Sequence, residues 1–322
     1  MSAIETTTRT HSPARSFRPR AWLKKHPLAS YFILAYAVTW LALLGAIVLI
    51  QFDLVPAESP VVEWAIQLGV FGPAIAALVI ASLSGGKAEV VDLLKRVVRW
   101  RVGVQWYLFV LVGVPLILVL GASVVYGQAL FGALLDRWPI LITNFLPLVA
   151  VTVVVTGLGE EPGWRGFALS RIQTKYGPLL GILALGVLWQ MWHLPGMLMQ
   201  PGGPATFGLW TLATIVNGFV LAWVFNSTGS ILLVMLLHAT QNSSSRLVSN
   251  LIAAVDPAAL SDIVSFSNQL YIVSAVSFGV LVLLIGILTR GRFGSKRDTE
   301  AVDGHEVATK EPEGRMGSGA AA

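Results

Sequence analysis

Residues 27–50 read PLASYFILAYAVTWLALLGAIVLI, a run without a single Asp, Glu, Lys or Arg. A helix needs roughly 20 apolar residues to cross the hydrocarbon core of a bilayer, and this run is long enough. It is too long for the apolar part of a signal peptide, which covers about 7 to 15 residues. The run therefore predicts a first membrane-spanning helix that the protein retains.

Seven further runs without these four residue types follow along the chain. With the first, they cover residues 28–50, 64–83, 107–126, 139–158, 179–199, 206–225, 230–245 and 269–289. Only 12% of the residues are charged, whereas soluble domains carry roughly 25%, so a water-soluble surface could not be covered. The sequence predicts an all-α, polytopic membrane helix bundle with about eight transmembrane helices, of which the seventh is the most polar.

Charged residues in the loops predict the orientation of the bundle, because cytoplasmic loops collect Lys and Arg. The loops predicted to be outside carry acidic residues: Asp53, Glu58, Glu63, Asp256 and Asp262. Those predicted to be inside carry basic residues: Lys87, Lys95, Arg96, Arg99, Arg101, Arg165, Arg171, Lys175, Arg290 and Arg292. We expect a multi-pass protein of the cell (plasma or inner) membrane with both termini cytoplasmic. Orientation also explains the net charge of +5, so no nucleic-acid partner is predicted.

The chain divides into three parts by composition. Residues 1–26 form a basic segment, predicted to be a flexible arm, and residues 27–291 form the membrane domain. Residues 292–322 are polar and rich in Gly, Glu and Lys, which predicts a disordered cytoplasmic tail. Between the second and third runs, residues 90–99 alternate apolar and basic side chains at helical spacing. This pattern predicts an amphipathic interfacial helix, with Trp100 and Trp106 at the headgroup level.

Two adjacent carboxylates, Glu160 and Glu161, end the fourth run in the sequence GEEPGWRG. An ionisable group at membrane depth is costly, and it therefore predicts a functional role. On a helix, Glu161 and Arg165 share a face at i and i+4 and are expected to pair. Glu160 points about 100° away and has no basic residue at i+3 or i+4. It is therefore the better candidate for a general acid or base, although a solvated helix end is the alternative.

Two of the five histidines, His193 and His238, lie within the apolar part of the chain. If the fourth run continues as a helix to a turn near residue 176, Glu160 and His193 are at similar heights, about 24 to 26 Å from that turn. Asn242 lies at i+4 from His238 on the same helix face. A base, two imidazoles and an amide are the groups that a hydrolytic site requires. Because the chain has no cysteine, thiolate catalysis and Cys-ligated zinc are excluded.

These residues resemble three motifs of the CPBP family, the CAAX-protease and bacteriocin-processing membrane proteins that include the Ras-converting endopeptidase. Glu160, Glu161 and Arg165 match Glu-Glu-x-x-x-Arg. Trp189 and His193 match the second motif, in which the aromatic residue is usually Phe, and His238 and Asn242 match His-x-x-x-Asn. Each motif alone is short, but all three occur in order, each on a predicted helix. The flanking residues look like the prokaryotic branch.

The resemblance implies a membrane-embedded endopeptidase that acts on a membrane-associated peptide or protein, lipidated or CAAX-like, at the bilayer. Glu160 would activate water together with His193, while His238 and Asn242 would stabilise the oxyanion. Glu161 and Arg165 would have a supporting role. Glu160, His193 and His238 are also candidate ligands of a zinc ion, because two imidazoles and a carboxylate can bind zinc with one open position.

Two other functions use the same polar residues. A non-catalytic scaffold or bacteriocin-immunity protein would bind a partner peptide with them. A proton-coupled transporter would relay protons through Glu and His, and an inverted repeat between the halves of the chain would support it. No such repeat is apparent in the sequence.

Overall fold

The structure is a computed structural model that describes residues 19–197 and 202–295, and this part of the chain contains helices and loops but no strand. The first six helices are α1 (Pro19–Lys25), α2 (Pro27–Gln51), α3 (Pro60–Val70), α4 (Gly72–Ser84), α5 (Gly86–Val97) and α6 (Val104–Tyr126). The next six are α7 (Ala129–Asp136), α8 (Leu141–Tyr176), α9 (Pro178–Trp192), α10 (Gly203–Thr228), α11 (Ile231–Val255) and α12 (Ile263–Leu288). The predicted all-α membrane bundle is confirmed.

The exact number of eight membrane-spanning helices is not confirmed. Within the described residues, five helices are long and apolar enough to cross a bilayer: α2, α6, α8, α10 and α12. The pair α3 and α4 would be a sixth crossing, although it bends by 48° between the two helices. The prediction of eight treated every uncharged run as a full crossing, and two runs do not qualify.

The fifth and seventh predicted crossings correspond to α9 and α11. Helix α9 has 15 residues, which is about 22 Å of helix and shorter than the roughly 30 Å hydrocarbon core. Helix α11 has 25 residues but carries a polar stretch, Gln241 to Ser245. Most of its residues are buried against α6, α7, α8 and α10, so α11 lies in the interior of the bundle. Its polar side chains therefore face other helices and the internal cavity described below.

Local signals at the helix ends agree with this arrangement. Proline stands at the first position of α2, α3 and α9, where its missing N–H costs no hydrogen bond. The turn between α8 and α9 is Gly177, whose φ of 79° is a left-handed conformation that glycine adopts without strain. This tight turn makes α8 and α9 an antiparallel hairpin, as predicted from the spacing of the site residues.

The predicted amphipathic helix is α5. Leu93 is buried, whereas Lys87 and Lys95 are exposed. Trp100 is exposed, but Trp106 packs against Trp223 with 4.9 Å between ring centroids, so its ring belongs in part to the bundle. The position of α5 at a membrane surface stays a prediction.

The two ends of the chain fall mostly outside the described residues. Helix α1 forms the last part of the predicted basic arm, and residues 1–18 lie outside the described range. At the other end, the first residues of the predicted tail pack on the bundle. The Phe293 ring is buried against Phe219, and its carbonyl accepts a hydrogen bond from Asn226 Nδ2 at 3.0 Å. Residues 296–322 are not described.

Candidate active site

Helix α8, which carries both glutamates, widens into π-helical turns on either side of them. These turns cover Val153–Gly157 and Pro162–Leu169, and the α-helical segment Leu158–Glu161 lies between them. Pro162 has no N–H and cannot donate to the carbonyl four residues back, which favours a local change of pitch. π-Helical turns within α-helices occur frequently at functional sites.

The predicted ion pair between Glu161 and Arg165 is present and fully buried. Arg165 Nη1 lies 2.9 Å from Glu161 Oε1 and 3.1 Å from Oε2. The same Oε1 accepts a hydrogen bond from His238 Nδ1 at 2.7 Å. Arg165 was predicted to be a cytoplasmic loop charge as well, and this is wrong, because its side chain is only 1% exposed. Glu161 thus links a cation on its own helix to a histidine on α11.

The Glu160 carboxylate is buried and has indole groups for hydrogen-bond partners. Trp189 Nε1 on α9 donates to Glu160 Oε2 at 2.8 Å, and Trp164 Nε1 donates to the same oxygen at 3.3 Å. No Lys or Arg pairs with this carboxylate among the described residues. Both indoles bind Oε2, which leaves Oε1 for the cavity. The contact with Trp189 also shows that α8 and α9 pack at the height predicted from the hairpin.

His193 directly follows the last residue of α9. Its Nδ1 lies 3.0 Å from the Trp189 carbonyl oxygen, and an oxygen with no proton requires Nδ1 to be the donor. In the neutral ring, Nε2 then carries the lone pair. The imidazole is enclosed by aromatic rings, with centroids 4.7 Å from Trp192 and 5.0 Å from Trp210. These contacts fix both the orientation and the tautomer of the histidine.

A cavity of about 770 Å³ brings the predicted site residues together. Glu160 from α8, His193 from the end of α9, and His238 and Asn242 from α11 all line it. Glu161 and Arg165 do not line the cavity; Glu161 accepts the hydrogen bond from His238 Nδ1, and Arg165 is bonded to Glu161. Four polar side chains from these three parts of the chain therefore line one cavity.

The candidate zinc ligands do not form a metal site as placed. Across residues 19–197 and 202–295, no group of three or more His, Asp or Glu side chains has an arrangement that could hold a metal ion. Nδ1 of both histidines is engaged with protein oxygens, and Oε2 of Glu160 is engaged with indoles. Nε2 of both histidines and Oε1 of Glu160 are not engaged in these bonds, so a zinc ion held by these three residues stays a prediction.

Several polar residues of the cavity were missed in the sequence. Asn217 on α10 and Ser274 on α12 line it. Each is an isolated polar residue inside a predicted membrane-spanning run, and that position was a usable signal. Gln241 on α11, which also lines the cavity, belongs to the polar stretch of the seventh run. Trp164 was noted only as part of the first motif, whereas its indole N–H donates a hydrogen bond to Glu160.

A bundle of membrane-crossing helices around a cavity lined by buried polar side chains defines a multi-pass membrane protein with a site between its helices. Residues 142–244 match the family model described as type II CAAX prenyl endopeptidase Rce1-like. Over 115 residues, the chain is 24% identical to CAAX prenyl protease 2 of Methanococcus maripaludis. This match covers 33% of the chain and 42% of the relative, so it spans less than half of that protein. The matched family segment contains all three motifs, and the predicted resemblance to the CPBP family is confirmed.

Proposed function

We propose that the protein is a membrane-embedded endopeptidase that hydrolyses a peptide bond of a membrane-associated peptide or protein. The observation that carries this proposal is the position of Glu160, which is buried, has no cationic partner among the described residues, and lines one cavity with two histidines. The family match and the similarity to a CAAX prenyl protease support the reaction type.

Glu160 and His193 are suited to activating a water molecule. The carboxylate accepts a proton from water through Oε1, while the lone pair of His193 Nε2 accepts a hydrogen bond from the second proton and orients the water oxygen. That oxygen attacks the carbonyl carbon of the scissile peptide bond. The proton held by Glu160 then passes to the leaving nitrogen as the C–N bond breaks, so the products are a carboxylic acid and an amine.

His238 and Asn242 are suited to stabilising the oxyanion that forms during this attack. The Asn242 side-chain amide donates N–H groups. His238 donates Nδ1–H to Glu161, and in its imidazolium form Nε2–H is a second donor. Donors placed where negative charge develops contribute about 2.7 to 4 kcal/mol each in comparable sites. Glu161 and Arg165 are supporting residues, because they hold the imidazole in position.

For the substrate, we propose a lipidated or CAAX-like peptide that reaches the cavity from the bilayer. In a CAAX sequence, a prenylated cysteine precedes two aliphatic residues and a terminal residue. The prenyl group would keep such a peptide at the membrane, where the cavity lies. We further propose that cleavage takes place near the cytoplasmic side of the cell membrane, in agreement with the orientation expected from the loop charges.

The proposal is tested with purified protein in lipid nanodiscs and quenched fluorescent peptides that end in Cys, two aliphatic residues and Ser, with and without a farnesyl group. We expect the wild-type protein to cleave and Glu160→Gln to lose at least about 100-fold in kcat, because general acid–base catalysis contributes about 10² to 10⁴. Glu63→Gln, which removes an exposed carboxylate on α3, is the matched control. Equal rates for wild type and Glu160→Gln would contradict the proposal.

The same preparation decides whether a metal takes part. Bound zinc is measured by elemental analysis, and the cleavage rate is measured before and after a chelator, followed by zinc addition. If the wild-type protein cleaves no peptide, and cells that produce Glu160→Gln behave like cells that produce the wild-type protein, the non-catalytic scaffold is the better description.

A further inference from the structure

A hydrogen-bonded chain of uncharged side chains lies in the same cavity as the proposed catalytic residues. Gln241 Nε2 donates to Asn217 Oδ1 at 3.2 Å, and Asn217 Nδ2 donates to Ser274 Oγ at 3.3 Å. The three residues come from α11, α10 and α12, and all of them line the cavity. We call Asn217, Gln241 and Ser274 the amide chain.

The amide chain has more hydrogen-bonding capacity than its members use. Within the described residues, Gln241 Oε1 and the Ser274 hydroxyl hydrogen take part in no further bond, and each amide has one N–H left. Gln241 is 6% and Ser274 9% exposed, so the little surface they have faces the cavity. These groups face the cavity and are therefore available to a polar ligand bound there.

The chemistry of the surplus groups fits a peptide backbone. A helical peptide has its N–H and C=O groups paired internally, so a peptide bond open to attack must be unwound. Each unwound residue then presents one donor and one acceptor, and a carboxamide offers the same two groups in return. The free Gln241 oxygen accepts a backbone N–H, while the free N–H and O–H groups donate to backbone carbonyls.

We propose that the amide chain binds the backbone of an extended peptide segment beside the scissile bond, with Gln241 Oε1 accepting a backbone N–H. This inference rests on the proposed function, since it names how that site holds its substrate. It assigns to Asn217, Gln241 and Ser274 a substrate-binding role. The competing role is structural, because interhelical hydrogen bonds between polar side chains also join membrane helices.

The test measures binding and does not depend on cleavage. Glu160→Gln protein in nanodiscs is titrated with the farnesylated fluorescent peptide and with a series of esters in which one backbone N–H at a time is replaced by oxygen. The same titrations are made with the double variant Glu160→Gln, Gln241→Met, which lacks the carboxamide but has a similar volume. Ser249→Ala on α11 is the control, because Ser249 does not line the cavity.

One ester is expected to bind about threefold to tenfold more weakly than the amide peptide, the range of a single hydrogen bond. In the Gln241→Met background, this ester and the amide peptide should bind equally, whereas the Ser249→Ala background should keep the difference. Ester penalties that are the same with and without Gln241 would overturn the inference and leave the structural role. Absence of saturable peptide binding would overturn it as well.

Two safeguards keep the outcomes distinct. If Gln241→Met does not fold, as judged by its thermal unfolding, Gln241→Leu, which also lacks the carboxamide, completes the comparison of the esters with the unmodified peptide. If the peptide binds through the amide chain but wild-type protein does not cleave it, the proposed function fails while this inference stands. If the wild-type protein cleaves the peptide but the ester penalties do not depend on the amide chain, the proposed function stands and this inference fails.

Discussion

Trp189 is the residue that contacts most of the candidate site. Its indole N–H donates to Glu160, its ring lies under the Arg165 guanidinium at 4.4 Å, and its edge-to-face contact with His238 has a centroid distance of 5.3 Å. Its carbonyl also accepts the hydrogen bond from His193. A phenylalanine, the usual residue of this motif, would retain the ring contacts but could not donate to the carboxylate.

Trp189→Phe is therefore expected to lower kcat with little change in KM. If Glu160 is the base, its carboxylate is held less firmly toward the water without this N–H, and a misplaced catalytic group costs up to about 100-fold in rate. Trp164→Phe, which removes the longer bond of 3.3 Å, should have a smaller effect. Steady-state kinetics with the fluorescent peptide provide the measurement. A larger loss in Trp164→Phe, or an effect confined to KM, would speak against this role.

A second prediction concerns the buried ion pair. Arg165→Met leaves the Glu161 carboxylate without its cation at a position that is 0% exposed, and breaking a buried pair costs about 3 to 5 kcal/mol. The variant should unfold at a clearly lower temperature in nanodiscs. Adding Glu161→Gln removes the orphan charge, so the double variant should recover part of the loss. A double variant less stable than Arg165→Met alone would show that the charge is not the cause.

Residue types and spacing were enough to predict part of this site. The i, i+4 relation of Glu161 and Arg165 needs only the helical repeat, and the similar heights of Glu160 and His193 need only the turn near residue 176. The bond from His238 to Glu161 could not be predicted, because it depends on how α11 is placed along α8. For the same reason the amide chain, which joins three helices, was not foreseen.

At the level of the elements, the close approach of α8 and α4 fixes the glutamate segment in place. A Cβ at Gly163 would lie 2.5 Å from the Pro73 carbonyl oxygen and 2.6 Å from the Tyr31 hydroxyl. Gly159 has a similar contact with the backbone of Val70. Small residues at helix contacts in membrane proteins permit the backbones to approach in this way. The first motif thus contains a packing glycine next to its ionisable residues.

Gly163→Ala is expected to destabilise the protein by at least about 1 to 3 kcal/mol, because a backbone oxygen cannot move aside as a flexible side chain can. The control is Gly132→Ala on α7, where nothing lies within 4 Å of the added Cβ and helix propensity alone should give a small gain. Thermal unfolding of both variants in nanodiscs is the measurement. Equal unfolding temperatures for the two alanine variants would rule out a tight contact at Gly163.

The positions of the helices were predicted more accurately than the residues at which they begin and end. Uncharged runs located a helix at all eight predicted positions, because apolar side chains dominate both lipid-facing and buried surfaces. The fourth uncharged run ends at 158, and the helix continues beyond it to Tyr176, as the comparison of heights of Glu160 and His193 had assumed. Its charged residues do not end the helix, since Glu161 and Arg165 neutralise each other inside the protein and Arg171 pairs with Glu89 of α5.

For the whole molecule, hydrogen bonds between distant segments show which loops share an end of the bundle. Ser230 Oγ donates to the Arg99 carbonyl at 2.5 Å, joining the turn before α11 to the segment after α5. Asn226 Nδ2 donates to the Phe293 carbonyl, which brings the residues after α12 to the end of α10. The basic loops after α5 and α12 are thus at one end, where the loop charges predict the cytoplasm.

Because the chain has no cysteine, single cysteines can test this orientation without a background signal. Glu58→Cys and Asp256→Cys are expected to react with a membrane-impermeant maleimide added to intact cells, since acidic loops are predicted to lie outside. Lys95→Cys and Arg290→Cys should react only after the cells are opened. All four side chains are exposed, so burial cannot account for a missing reaction.

The same four labels decide how the chain crosses the membrane. Between Glu58 and Lys95 lie the bent pair α3 and α4 and most of the amphipathic α5. Of these, only the pair is apolar enough to cross, so opposite reactivity requires the pair to cross, whereas equal reactivity makes it re-entrant. Between Asp256 and Arg290 lies α12, a single long apolar helix, whose two ends must label from opposite sides in either case. The eight predicted runs place an even number of crossings between Glu58 and Asp256, so both residues should react from the same side. If they react from different sides, the number of helices that cross between them is odd. The short α9 is then the first helix to reassign, since its 15 residues are the least able to reach both surfaces.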